Sequence, residues 1–245
     1  DPGDGALESI ARDFPQVRGI ANAENVGYAR AINQGLAATT GEFVLAMNPD
    51  CVLERGALAA LIGYLRAHPR TAVAGPRILD SDGTLQYSAR SFPDHLTFLF
   101  NRYSLLTRLF PDNRFSRRYL LTDWDHASVR EVDWLSGACL MVRRTAIAEV
   151  GGMDEAFFMF NEDVDWCRRM NLAGWSVDYV PPAEIVHHIG ASRGEVSNRV
   201  ILERHRGMIH YFRKHHPAPG PLDALAALLI MTRAHLLVFL NGRRR

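Results

Sequence analysis

Cysteine is scarce in this sequence: Cys51, Cys139 and Cys167 are the only three in 245 residues, and no two of them form a CxxC pair. That spacing excludes a disulfide framework and a cysteine-rich zinc site, and it suits a reducing compartment such as the cytosol. Net charge is scarce too. The 28 Lys and Arg residues nearly balance the 27 Asp and Glu, leaving +1, so no global field draws the protein to nucleic acid and any basic attraction is local. Internal repeats and low-complexity stretches are missing. So is a Gly-rich, basic phosphate loop near the start, which weighs against a nucleotidyltransferase.

What is there is ordinary globular material, 47% hydrophobic and 22% charged, enough for one domain with a tail. The first half alternates helical periods with short β-type runs: helix over 6–13, strand 17–21, helix 27–39, strand 42–47, helix 55–67 and strand 71–75. Pro69, Pro76 and Gly83 punctuate them. This is the pattern of βα units around a mainly parallel sheet. From Ser91 to Val132 the pattern loosens into FLFNRYSLLTRLF and NRFSRRYL, which suit a mobile or partner-facing insertion rather than a sheet layer. VDWLSGACLMVRR then reads as a buried strand with a small-residue kink at Ser136-Gly137. It is followed by helices over 145–149 and 162–173 and strands over 176–180 and 184–188.

Four stretches carry candidate chemistry. In FVLAMNPDCVL a core strand is stopped by Pro49, which cannot donate to a ladder, and Asp50 stands at its carboxyl end, where open sheets bind ligands. A carboxylate there can hold a hard cation, and Asn48-Pro49-Asp50 equally makes a plain turn. In NVGYARAINQG, Asn25 can cap a helix, Gly27 allows close backbone approach, and Ala31, Asn33 and Gly35 follow it on the helix. In FFMFNEDVDWCRR an aromatic run delivers Asn161, Glu162, Asp163 and Asp165 to the first turn of a helix. Capping by Asn161, the helix dipole and pairing of Asp165 with Arg168 or Arg169 explain them structurally, while crowded acids on an apolar wall suit a general base. In EIVHHIGASRG, His187 ends a β-type run and can complete a metal site or simply bond a backbone carbonyl.

The C-terminal stretch 199–240 reads as two helices divided by HHPAPGP. The second is the most apolar part of the chain, but Asp223, Arg233 and His235 break the run of roughly 18 apolar residues that a spanning helix wants. It suits a helix lying in the membrane interface with Arg243, Arg244 and Arg245 at anionic headgroups, or a core or homodimer helix with a basic end.

Taken in order, N-x-G-x-x-x-A-x-N-x-G, the strand ending in NPD, WLSGACLMVRR, GGMDEAFFMFNEDVDWCRR and HHIGAS resemble the family 2 glycosyltransferases of the GT-A fold, and most of all their bacterial rhamnosyltransferase-type branch. The match runs from Asn25 to Ser192. Family members open with a strand and a DNGSxDGS-like turn that grip the nucleotide base, and DPGDGALESI is similar only to the tail of that turn, as though the first strand of the nucleotide-binding half were lacking.

The resemblance implies an α/β fold, a GT-A (Rossmann-like) mixed, mainly parallel sheet flanked by helices with a C-terminal helical extension. Residues 1–195 would be the transferase domain, 1–90 its nucleotide-sugar-binding half and 91–195 its acceptor and catalytic half, and 196–245 the membrane-interface or oligomer helices. It implies inverting, metal-dependent transfer of a sugar, L-rhamnose from dTDP-rhamnose, to a hydroxyl of a lipid-linked saccharide or cell-envelope polysaccharide. Asp163, beside Glu162 and Asp165, matches the catalytic base. Asn25, Gly27, Asn33, Asn48 and Asp50 match the donor side, Asp50 with His187 the site of Mg2+ or Mn2+, and Ser136, Gly137 and Ala138 the acceptor floor. Asn48 stands where the family's DxD motif has its first acid. The expected place is the cytoplasmic, inner face of the cell membrane, with peripheral membrane contact. The competing class is a truncated, non-catalytic transferase-like domain that binds glycan or a partner protein.

Overall fold

The computed structural model describes residues 5–94, 113–188, 197–217 and 220–243. Its elements begin with helices α1 (Ala6–Asp13) and α2 (Tyr28–Ala37), strands β1 (Phe43–Met47) and β2 (Cys51–Leu53), and helix α3 (Ala57–Ala67). Strands β3 (Thr71–Leu79), β4 (Leu85–Gln86) and β5 (Ala89–Arg90) lead to helix α4 (Arg114–Leu120) and strands β6 (Arg130–Glu131), β7 (Trp134–Leu135) and β8 (Cys139–Arg143). Helices α5 (Arg144–Val150) and α6 (Glu162–Leu172), strand β9 (Ser176–His187), and helices α7 (Asn198–His215) and α8 (Gly220–Gly242) complete the chain. These elements fall into two units, one of Asp1–Thr40, Met153–Glu162 and Ser197–Arg245, the other of Gly41–Gly152 and Asp163–Val196.

The second unit is built on β3. TAVAGPRIL is apolar almost throughout and buried on both faces, as a central strand must be. Its sheet runs in the order β1-β8-β3-β9-β2, with β4 paired to β3 and β6 to β9, and β5 and β7 form a separate pair. Ala57, Leu61 and Leu65, spaced four apart on one stripe of α3, pack against Ala74, Met141, Val180 and Ala183. A second cluster of Cys51, Ile78, Ala138, Cys139 and Ile185 lies at the ends of β2, β3 and β9.

The sheet is mixed, as expected, but one pairing among the described residues is parallel, that of β3 with β9, and the rest are antiparallel. The mainly parallel sheet is corrected for two reasons. Val17–Ala21, read as a strand, runs as coil with Val17 and Ile20 exposed, and β8 returns between β1 and β3 antiparallel to both.

The strands expected over 176–180 and 184–188 are one strand, β9. Pro76 pairs with Val180 and the next residue, Arg77, with Glu184, so Pro181, Pro182 and Ala183 form an irregularity where neither proline breaks a ladder bond. The 91–132 segment, expected to stand outside the sheet, contributes β6, whose Arg130 pairs with Tyr179 and Glu131 with Asp178. FLFNRYSLLTRLF, the residues after His188 in HHIGAS, and Arg244 and Arg245 lie outside the described residues.

In the first unit, α7 and α8 form an antiparallel pair. Arg213 grips Asp223 at 2.8 Å near one end and Asn241 donates to Asn198 at 3.0 Å near the other. Ile230 and Ala234 of α8 are buried with Tyr211 of α7, while Leu222, Leu225, Leu228, Leu229, Leu236, Phe239 and Leu240 are exposed. By length and composition α8 is long and apolar enough to cross a membrane. The 153–162 loop is tied to α7 through Asp154, which accepts from Lys214 at 2.6 Å and His210 at 3.1 Å. Those donors and the Ala156 amide hold the Asp154 carboxyl below its usual range against the opposing effect of burial.

Candidate active site

Asn48 to Cys51 make a four-residue turn closed by the Cys51 N–H on the Asn48 carbonyl at 3.2 Å, with Pro49 at the position where its fixed φ is favoured. Cys51 lies opposite His187 in the β2·β9 register, which brings the end of β9 beside Asp50. His187 Nε2 is 3.2 Å from Asp50 Oδ1, its Nδ1 is 3.0 Å from Gln86 Oε1, and the His188 amide donates to the Asp50 carbonyl at 2.8 Å.

Asp50, Cys51 and His187 each offer one potential ligand atom, all within 4.8 Å of one another. The three are not equivalent. Burial, with Asp50 beside it, pushes the Cys51 thiol up to about 11, and its Sγ donates to the Ala138 carbonyl at 3.4 Å. A thiolate is a soft ligand, and this thiol already has a carbonyl partner; for a hard cation that leaves a carboxylate oxygen and an imidazole nitrogen, a donor set that fits Mg2+ or Mn2+.

Asp163 sits in the first turn of α6, half-buried. Burial raises its pKa, opposed by the amides of Gly137 and Val164, each 2.9 Å from a carboxylate oxygen, and by the charge of Arg90. Arg90, which the sequence reading missed, stacks over Trp134 at 5.0 Å and donates to the Tyr87 carbonyl at 2.9 Å. A lone arginine in the two-residue strand β5 carries no sequence signal for that role.

Glu162 is buried. Asp165, fully buried, is held by Arg169 at 2.8 Å, and Arg169 also donates to the carbonyls of Val150 and Gly152. Asp165 thus makes the ion pair one turn on that its spacing from Arg169 allows. Phe160 and Asn161 both have positive φ, 70° and 71°, so Asn161 does not have the extended backbone of an N-cap.

Ser136, Gly137 and Ala138 link these parts. The Ser136 amide donates to the Ser88 carbonyl, the Gly137 amide to Asp163, and the Ala138 carbonyl accepts from the Asn48 amide at 2.9 Å and from Cys51. Three consecutive residues therefore hold the carboxylate of α6 and the NPD turn in one hydrogen-bonded chain. The kink between β7 and β8 is what frees their backbone groups for this.

Asn25, Gly27 and Asn33 lie in the first unit. Asn25 accepts from the Gly27 amide at 3.0 Å in a local turn rather than capping α2; Gly27, at φ 85°, is the residue at the cap. A Cβ on Gly27 would stand 2.5 Å from the Phe158 carbonyl oxygen, which accepts from the Tyr28 amide at 2.8 Å. Both ends of the Asn33 amide are bonded to the 153–155 segment, at Met153 N, Met153 O and Glu155.

Solved structures that share the fold include two transferases. One is the mannosyltransferase PcManGT from Pyrobaculum calidifontis in complex with GDP-Man and Mn2+, with a TM-score of 0.53 and 18% identity over 94% of this chain and 61% of that one. The other is GalNAc-T7 with UDP, GalNAc and Mn2+, at 0.52 and 14% over 76% and 34%. This chain thus spans about a third to three fifths of their lengths. The fold class is GT-A.

A family profile described as "Glycosyltransferase like family 2" matches residues 3–208, and the chain belongs to that family. Its relatives include the N-acetylglucosaminyl-diphospho-decaprenol L-rhamnosyltransferase of Mycobacterium tuberculosis, 33% identical over 98% of this chain and 82% of that protein. The rhamnosyltransferase WbbL of Escherichia coli K12 is 25% identical over 70% and 61%. The chain sits on a rhamnosyltransferase-like branch of hexosyltransferases, which transfer sugar from a nucleotide sugar.

Proposed function

We propose that the protein transfers L-rhamnose from dTDP-rhamnose, with inversion, to a hydroxyl of a lipid-linked saccharide, an N-acetylglucosaminyl diphosphate carried on a polyprenol. The observation that carries this reading is the 136–138 chain, which binds the NPD turn and Asp163 into one site. Asp50 and His187 would hold Mg2+ or Mn2+, and the ion, when bound, neutralises charge on the departing diphosphate.

Asp163 takes the proton from the acceptor hydroxyl, and its raised pKa makes it a stronger base than an ordinary aspartate. The Gly137 amide orients its Oδ2, and Arg90 limits how far its proton affinity rises. Asp165 keeps α6 anchored through Arg169. One displacement at the anomeric carbon gives inversion, in parallel with the base's role in inverting glycoside hydrolysis. In this reading 1–195 is the catalytic domain and 196–245 its helical extension.

The exposed leucines of α8 lie along the lipid surface. Its one acid, Asp223, is paired with Arg213, and Arg243 lies at the far end; the charge of that acid is therefore offset rather than set against anionic headgroups. Free, buried cysteines agree with the cytoplasmic side of the membrane. A second copy of the chain is the competing occupant of that face.

A panel of UDP-, GDP- and dTDP-sugars with the polyprenyl-diphosphate acceptor, with and without EDTA, tests the reaction. Transfer from dTDP-rhamnose that EDTA abolishes is expected. A folded protein that transfers none of the sugars would favour the glycan- or partner-binding reading.

A further inference from the structure

The hairpin joining β3 to β4 reaches both histidines at the end of β9. Its turn is closed by the Asp80 amide on the Thr84 carbonyl at 2.8 Å and the Gly83 amide on the Asp80 carbonyl at 2.9 Å, with Gly83 at φ 80°. The Asp82 carboxylate adds bonds from the Thr84 amide and hydroxyl. Gln86 pairs with Ile78 of β3, so its position is set by the sheet rather than by the loop. From this rigid base Gln86 meets His187 Nδ1 at 3.0 Å and Ser81 meets His188 Nδ1 at 2.7 Å.

Gln86 can face His187 in only one way. Its amide nitrogen already donates to Asp80 Oδ1 at 2.8 Å and to the His187 carbonyl at 3.0 Å, both acceptors only. The carbonyl oxygen of the amide is therefore the atom turned to His187 Nδ1, and Nδ1 must carry the hydrogen between them. The other nitrogen, Nε2, is the one 3.2 Å from Asp50. An imidazole can ligate a cation only through a nitrogen without hydrogen, and the hydrogen bond of the opposite nitrogen decides which one that is.

We infer that Gln86, held by Asp80, is the positioning residue that fixes the hydrogen of His187 on Nδ1 and so turns Nε2 toward Asp50 as a ligand. This rests on the proposed metal reading of Asp50 and His187 and adds the residue that makes His187 competent for it. Two effects separate this from general support of the hairpin. Gln86→Met keeps the length and removes the acceptor, so Asp50 alone draws the hydrogen, onto Nε2. Gln86→Glu keeps an acceptor facing Nδ1 but loses the donor to Asp80, so it is made together with Asp80→Asn, whose amide can donate to the new carboxylate.

The test uses the full chain with Mn2+ alone and Mn2+ with dTDP, read by electron paramagnetic resonance. It is joined by 15N NMR of histidine-labelled, metal-free protein at pH 8, with His187 assigned by its substitution. Gln86→Met should weaken Mn2+ binding by about 10- to 100-fold and move the hydrogen from Nδ1 to Nε2. Gln86→Glu made together with Asp80→Asn should recover both, and Ser81→Ala should change neither. Wild-type Mn2+ affinity and an Nδ1 hydrogen in Gln86→Met overturn the inference. So does an equal loss in Ser81→Ala, which would make the hairpin as a whole responsible. Asp50→Asn separates the levels: if it leaves Mn2+ binding unchanged, the metal reading itself falls, whereas its loss alongside an unaffected Gln86→Met removes only the role of Gln86.

Discussion

The Gly137 amide donates to Asp163 Oδ2 at 2.9 Å, and a Cβ added to Gly137 would stand 3.4 Å from that oxygen. The proposed base is thus gripped by backbone from the kink between β7 and β8, with no side chain interposed.

Burial makes the ionised form of Asp163 expensive. Because its pKa is raised in the folded state, the native protein holds that proton more tightly than the unfolded chain. The stabilisation this gives is full below the unfolded pKa and is lost as pH rises through the folded one. At pH 7.5 the carboxylate is a net destabiliser. Asp163→Asn should therefore melt at the same temperature or higher in a thermal scan at pH 7.5, with the difference shrinking as pH falls. Likewise, the acid limb of the parent's pH–rate profile should lie above the ordinary aspartate range.

Asp165 should behave in the opposite way. Removing its charge leaves the half-buried Arg169 with two carbonyls and no counter-charge, and breaking a largely buried pair costs about 3 kcal/mol. Denaturant melts of Asp165→Asn should show that loss, while kcat of the folded fraction stays within a few-fold of the parent.

Gly27→Ala forces a positive φ on alanine and drives its Cβ into the Phe158 carbonyl. A cost of about 1–3 kcal/mol is expected, read as an earlier unfolding transition.

Replacing the exposed Leu225, Leu229 and Leu236 together by Ser should change the melting temperature little, because these side chains are more than half exposed. Sedimentation with vesicles containing anionic lipid should fall several-fold. A change in oligomeric state in place of lost vesicle binding would assign the face to a second copy.

Much of this was legible in residue order. The NPD turn announces itself through Pro49, and the acids of α6 through their crowding after an aromatic run. The break between Val180 and Glu184 shows in Pro181-Pro182, although it proved an irregularity within β9 because β3 pairs with both halves. What was hidden depended on partners far along the chain. Val17–Ala21 has strand-like composition but pairs with no strand among the described residues. Gln86 sits in a two-residue strand, and only its pairing with Ile78 brings it to His187. Asn33 looked like a donor contact, and its amide is bonded to the 153–155 segment, 120 residues away.

The central claim is that Asp163 removes the acceptor proton. Single-turnover transfer by Asp163→Asn, measured alongside dTDP-rhamnose binding, tests it most directly. Turnover lower by about 100-fold or more with donor affinity unchanged is the predicted result. Turnover equal to the parent's would contradict the account.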